Sequence, residues 1–147
     1  MQGVILGSPP YMSPEQASGK EDLDPRSDIY GLGGVAYFML TGQPPFARET
    51  AMQMLLAHAY EPVVPPAHLR PDVPADLQAV VLRCLAKRPE DRYASAGELE
   101  KALGACQDAG TWTQEKAEAW WQARTAQEET GTQHAAATAV WTPGGGV

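Results

Sequence analysis

One stretch limits what this chain can fold into more than any other: Asp24 to Phe46, DPRSDIYGLGGVAYFMLTGQPPF. Asp24 can cap a helix, and Pro25 suits the first helical position, where its missing N–H costs nothing. The run that follows is apolar on nearly every side, through Ile29, Tyr30, Leu32, Val35, Tyr37, Phe38, Met39 and Leu40. Thr41-Gly42 ends it, and Pro44-Pro45 turns the chain away. A helix without a polar face belongs in an interior, so the pattern predicts a central pillar buried all round. It is too short for a bilayer, which needs about 20 apolar residues. Gly31, Gly33 and Gly34 each weaken an isolated helix by roughly 1 kcal/mol relative to alanine. Packing must therefore hold it, with the small residues admitting other backbone.

The totals narrow the setting. With 147 residues the chain fits one domain or part of one. A net charge of −7, with 18 acidic against 11 basic residues and no basic run, disfavours nucleic acid and anionic membranes as partners. Cys84 and Cys106 lie outside any metal spacing and fall on apolar helix faces, as small buried hydrophobes do. No signal peptide and no span of 18 apolar residues is visible, so the expected location is cytoplasmic.

Upstream of the pillar, Val4-Ile5-Leu6 is a short apolar run without a partner strand, which suggests an absent preceding part. Gly7-Ser8-Pro9-Pro10-Tyr11-Met12 is a rigid loop in which the prolines exclude helix. Ser13-Pro14-Glu15-Gln16 fits a capping box opening a single turn. Downstream, Thr50–Ala59 reads as a helix with Met52, Leu55, Leu56 and Ala59 on one face. Glu61–Pro74, with five prolines, reads as an extended connector. Pro74–Lys87 is strongly amphipathic through Leu77, Val80, Val81, Cys84 and Leu85, with Lys87 and Arg88 near its negative end. Ser95–Glu98 opens another helix bearing Leu99, Ala102, Leu103 and Cys106. Trp112, Ala117, Trp120 and Trp121 stripe a further helical unit, as packing anchors or as a recognition surface. From Thr130 the composition is that of a disordered tail or linker, with Trp141 alone in it. His58, His68 and His134 stand far apart and read as surface or packing residues.

Four blocks now stand in order: Gly7-Ser8-Pro9-Pro10-Tyr11-Met12-Ser13-Pro14-Glu15-Gln16; Asp24-x-Arg26-Ser27-Asp28-Ile29-Tyr30; Leu40-Thr41-Gly42-x-Pro44-Pro45-Phe46; and Cys84-Leu85-x-Lys87-x-Pro89-Glu90-Asp91-Arg92-Tyr93. Together they closely resemble the C-terminal lobe of a bacterial serine/threonine protein kinase of the eukaryotic type, over about Gly3 to Cys106. The resemblance implies an all-α fold, the helical C-terminal lobe, without the N-lobe, the catalytic loop or the metal-binding motif. The expected organisation is a partial kinase domain over 1–106, a helical extension over 107–129 and a tail over 130–147.

The resemblance also implies roles. Ser13-Pro14-Glu15 matches the Ala-Pro-Glu motif that closes the activation segment, with Ser in place of Ala. Glu15 is expected to pair with Arg92 and pin that segment to the lobe. Asp28 matches an aspartate that binds catalytic-loop backbone in the family. Gly7, Ser8, Pro9, Pro10, Tyr11 and Met12 match the loop that receives the substrate residue after the phosphoacceptor; Ser8 keeps the hydroxyl of the usual threonine.

Phosphoryl transfer needs positioned phosphates, metal and a base. The family's phosphate-covering glycine loop, Val-Ala-Ile-Lys lysine, His-Arg-Asp loop and Asp-Phe-Gly motif all precede Ser13-Pro14-Glu15, and twelve residues leave no room for them. The expectation is therefore a chain with no catalytic residue, no metal ligand and no cofactor of its own. ATP and Mg belong to the complete kinase, and the partners are a protein substrate or the missing N-terminal half. A stand-alone, non-catalytic kinase-like interaction module is the alternative, and a degraded remnant the third reading.

Overall fold

The structure is a computed structural model that describes residues 8–20 and 22–125. All regular structure among those residues is helical. The chain divides into two compact units, Met1–Gln107 and Asp108–Val147.

In the first unit a 3-10 turn, Pro9–Tyr11, leads into α1 (Pro14–Ala17), α2 (Arg26–Thr41), α3 (Ala51–Tyr60), α4 (Pro66–Leu69), α5 (Ala75–Cys84) and α6 (Ala96–Gly104). The one-turn α1 exists because its ends are satisfied. The Gln16 N–H donates to Ser13 Oγ, and the Ser13 N–H donates to Gln16 Oε1, closing a capping box. A second capping box, Thr50 with Gln53, starts α3.

Helix α2 is the axis of this unit. It begins one residue later than the sequence suggested, with Pro25 at the N-cap, while Asp24 Oδ1 accepts the Arg26 N–H at 2.8 Å. Gly42 ends it in the left-handed region, at φ +79°. Two of its glycines admit neighbours. A Cβ on Gly33 would lie 2.6 Å from Cys84 Cβ in α5, and one on Gly34 would lie 3.1 Å from the Tyr11 ring. Ile29 packs with Val80, Cys84, Tyr93 and Leu99, while Tyr30 and Tyr37 pack with Val81 and Leu85.

The pillar is not buried all round. Leu32 (53 % exposed), Val35, Phe38 and Met39 (78 % exposed) form an open apolar face. Helix α5 and the Pro9–Met12 loop cover the other sides, and no described residue of the first unit closes over this one. Beside it, an apolar groove of about 170 Å³ is lined by Leu32, Gly33, Ala36, Val80, Cys84 and Leu103.

Three other expectations change. Helix α3 buries Leu55, Ala57 and His58 and leaves Met52 and Leu56 outside. It packs through the Leu55–His58 face because His58 finds partners for both ring nitrogens. The proline-rich connector contains one helical turn, α4, started by Pro66; Gln78 Oε1 accepts the Ala67 N–H, and the Val64 carbonyl accepts the Tyr37 hydroxyl. Helix α5 stops at Cys84, so Lys87 lies beyond it and serves α3 instead, donating to the Ala57 and His58 carbonyls at 3.3 and 2.8 Å.

In the second unit the described helix, α7, covers residues 114–125. Thr113 caps it, its Oγ1 accepting the Lys116 N–H. Trp112, Trp120 and Trp121 are exposed, and the last two meet edge to face at 4.8 Å. The expected tail over 130–147, with Trp141 and His134, lies outside the described residues, as do Val4-Ile5-Leu6. No helix among the described residues is long and apolar enough to cross a membrane.

Candidate functional site: an anchored loop on the lobe

The site grows from α1. Its first turn carries Glu15, and the chain before it carries the proline loop. Arg92, 77 positions further on, follows a 3-10 turn, Pro89–Asp91, and points back beneath α1. The guanidinium donates from Nη1 to Glu15 Oε1 at 2.6 Å and from Nη2 to Glu15 Oε2 at 2.8 Å. The pair is bidentate and nearly fully enclosed, with Arg92 2 % and Glu15 6 % exposed.

Burying two charges is tolerable only when their polar atoms are all hydrogen-bonded. Here they are. Arg92 Nε donates to the Ala86 carbonyl, Nη1 also to the Arg26 carbonyl and Nη2 also to the Lys87 carbonyl. The Ser27 hydroxyl donates to Glu15 Oε1 at 2.7 Å. The Tyr30 ring faces the guanidinium at 4.9 Å. Burial alone pushes the Glu15 carboxyl up, but the hydrogen bonds from Arg92 and Ser27 outweigh it and hold the group at about 2. Glu15 thus ties α1 to the start of α2 and to the segment after α5.

The proline loop lies against this anchor. Ser8 is exposed, Pro9, Pro10 and Tyr11 are partly covered, and Met12, Ser13 and Pro14 are buried. Gly7 lies outside the described residues. The Tyr11 N–H donates to the Ser8 carbonyl at 3.0 Å, and the Met12 N–H donates to the Pro9 carbonyl at 3.5 Å. Asp28, in the first turn of α2, is exposed, and its carboxylate takes no hydrogen bond from any described residue. It is the one member of the expected motif set that the other members do not reach.

Two contributors were not read from the sequence. His58, fully buried, sits between the Pro10 carbonyl (3.0 Å from Nε2) and the Tyr30 hydroxyl (2.7 Å from Nδ1). A carbonyl only accepts, so Nε2 carries the proton; in the neutral ring Nδ1 then accepts from Tyr30. Burial holds the ring down at about 4, against the weaker upward pull of the Pro10 carbonyl. Lys87 lies over the Phe46 ring at 4.6 Å, and burial lowers its ammonium to about 8. The only sequence trace of His58 is its three-residue spacing from Leu55, which puts both on one helix face. Beside the anchor a surface cleft of about 350 Å³ is lined by Pro14, Glu15, Lys20, Tyr60, Lys87 and Arg88, among others.

Among the described residues no group of three or more His, Cys, Asp or Glu is placed to hold a metal ion. No step of phosphoryl transfer is assigned to these residues.

An all-helical lobe of this order, with a loop-bearing first helix clamped by a buried arginine from near its end, defines the C-terminal part of a protein kinase domain. The chain belongs to the protein kinase domain family, whose profile matches residues 2–103. It is 48 % identical over 101 residues to the serine/threonine-protein kinase Pkn1 of Myxococcus xanthus, covering 69 % of this chain and 14 % of that protein. It is 46 % identical over 100 residues to the serine/threonine-protein kinase PknB of Mycolicibacterium smegmatis, covering 68 % of this chain and 16 % of that protein. Similarity also extends to the tyrosine-protein kinase MasK of Myxococcus xanthus, 46 % identical over 101 residues, covering 69 % of this chain and 16 % of that protein. The chain therefore spans only 14–16 % of the length of these relatives.

Proposed function

We propose that this chain is the substrate-facing rear part of a cytoplasmic protein kinase that transfers the ATP γ-phosphate to serine or threonine of a protein. The observation behind this reading is the buried Glu15–Arg92 pair, which anchors α1 and with it the Ser8–Met12 loop. In this role Gly7, Ser8, Pro9, Pro10, Tyr11 and Met12 receive the substrate residue after the phosphoacceptor. Ser13, Pro14, Glu15 and Arg92 hold the loop in place, and Asp28 awaits backbone from a catalytic loop. ATP and Mg are taken by the complete kinase, whose preceding half is the natural partner of these residues. The 147 residues alone perform no phosphotransfer. Incubation of the purified chain with radiolabelled ATP, Mg and a protein substrate is expected to give no labelled product; measurable transfer contradicts the reading.

A second reading has its own support. Met52, Leu56 and Tyr60 leave an exposed apolar stripe along α3, which suits a non-catalytic module that docks a partner protein. A chain that is monomeric and melts cooperatively on its own fits the module. A chain that self-associates or needs the preceding half of the kinase fits the first reading.

A further inference from the structure

The proline loop holds itself poorly. Pro9 and Pro10 have no N–H, and the loop's own hydrogen bonds are those from Tyr11 to Ser8 and from Met12 to Pro9. Among the described residues, the one hydrogen bond that leaves this loop for another element joins the Pro10 carbonyl to His58 Nε2. The ring is itself fixed. Phe46 and Tyr30 meet it edge-on at 5.0 and 5.6 Å, Tyr30 bonds its far nitrogen, and Lys87 donates to its main-chain carbonyl.

We propose that His58 is a positioning residue for the Ser8–Met12 loop: a neutral imidazole, protonated on Nε2, that ties the Pro10 carbonyl to the Tyr30 hydroxyl so that α2 and α3 together set where that surface lies. Its importance for substrate rests on the reading of the loop as substrate-facing. The Glu15–Arg92 pair fixes the loop's downstream end, and His58 fixes its middle. Neither residue touches a reacting atom.

The test uses the 147-residue chain and two variants that split the bridge. In His58→Gln the side-chain amide stands where Nε2 stands and keeps the bond to Pro10. In His58→Asn it stands where Nδ1 stands and keeps only Tyr30. Amide exchange at Tyr11 and Met12 is expected to speed up by about tenfold in the Asn variant and by much less in the Gln variant, with exchange in the α2 and α5 cores unchanged. Equal exchange in the two variants, or loop protection unchanged in the Asn variant, overturns the proposal. The unmodified protein gives a check that needs no variant to fold. Nitrogen-15 shifts of the His58 ring at about pH 7 are expected to show a proton on Nε2 and a bare Nδ1; the opposite tautomer, or a doubly protonated ring, overturns it. A synthetic serine peptide with an apolar residue after the serine separates the two readings. If it moves no loop resonance while the variants behave as expected, the substrate-docking assignment falls and the His58 tie stands.

Discussion

Arg92 gives two of its five N–H donors to Glu15 and the other three to the carbonyls of Arg26, Ala86 and Lys87. One buried cation thus bonds main-chain carbonyls of two segments, the start of α2 and the stretch after α5, and through Glu15 holds the helix that carries the proline loop. The arrangement explains the sequence distance between the partners: only a completed lobe brings them together, so the loop is set only when the lobe has formed.

Acid weakens the fold in two separate windows. Glu15 has a folded value of about 2, below its ordinary 4.5. Between those values the unfolded chain binds more protons, so stability rises with pH. The contribution is whole above about 4.5 and lost as pH falls to about 2, in total on the order of 3 kcal/mol. His58, at about 4 against an ordinary 6.5, loses its contribution earlier, as pH falls from about 6.5 to about 4. Urea unfolding across pH is expected to show both slopes. In His58→Gln the upper one disappears and the lower one remains; an unchanged upper slope contradicts the assignment.

Gly33 is where α2 and α5 come closest, since a Cβ there would lie 2.6 Å from Cys84 Cβ. Gly33→Ala is expected to cost about 1–3 kcal/mol through overpacking, which outweighs the roughly 1 kcal/mol of helix propensity that alanine adds. Urea unfolding gives the answer; a neutral or stabilised variant means the two helices are not so tightly apposed.

The open face of α2 carries Leu32, Val35, Phe38 and Met39. A contiguous apolar patch of this kind invites association. The purified chain is expected to bind a hydrophobic dye and to self-associate, and Val35→Glu with Met39→Lys is expected to reduce both with little change in unfolding free energy. A wild-type chain that is monomeric and silent to the dye contradicts this expectation.

The sequence announced some of these features and hid others for physical reasons. Ser13 with Gln16 was readable because a capping box is local: its donors and acceptors lie within one turn. Glu15 and Arg92 could be paired only through the family resemblance, since nothing local links residues 77 positions apart. The apolarity of α2 revealed a helix made for an interior, but not which of its faces this chain covers. His58 was hidden because a histidine among apolar residues shows burial only when its partners are known, and these lie 48 and 28 positions away. Lys87 looked like an end charge for α5 and instead closes α3, because α5 ends at Cys84.

A double-mutant cycle on the anchor probes most directly whether the buried pair holds the loop-bearing helix to the lobe. Glu15→Ala and Arg92→Ala are each expected to cost about 3–5 kcal/mol in urea unfolding, because either leaves a buried charge unpaired. Arg92→Lys is not expected to restore the loss, since an ammonium lacks the planar fork. The double variant is expected to cost only about 1 kcal/mol more than either single one, a coupling nearly as large as a single loss, about 3 kcal/mol. Single losses below about 1 kcal/mol, or losses that simply add, would contradict it.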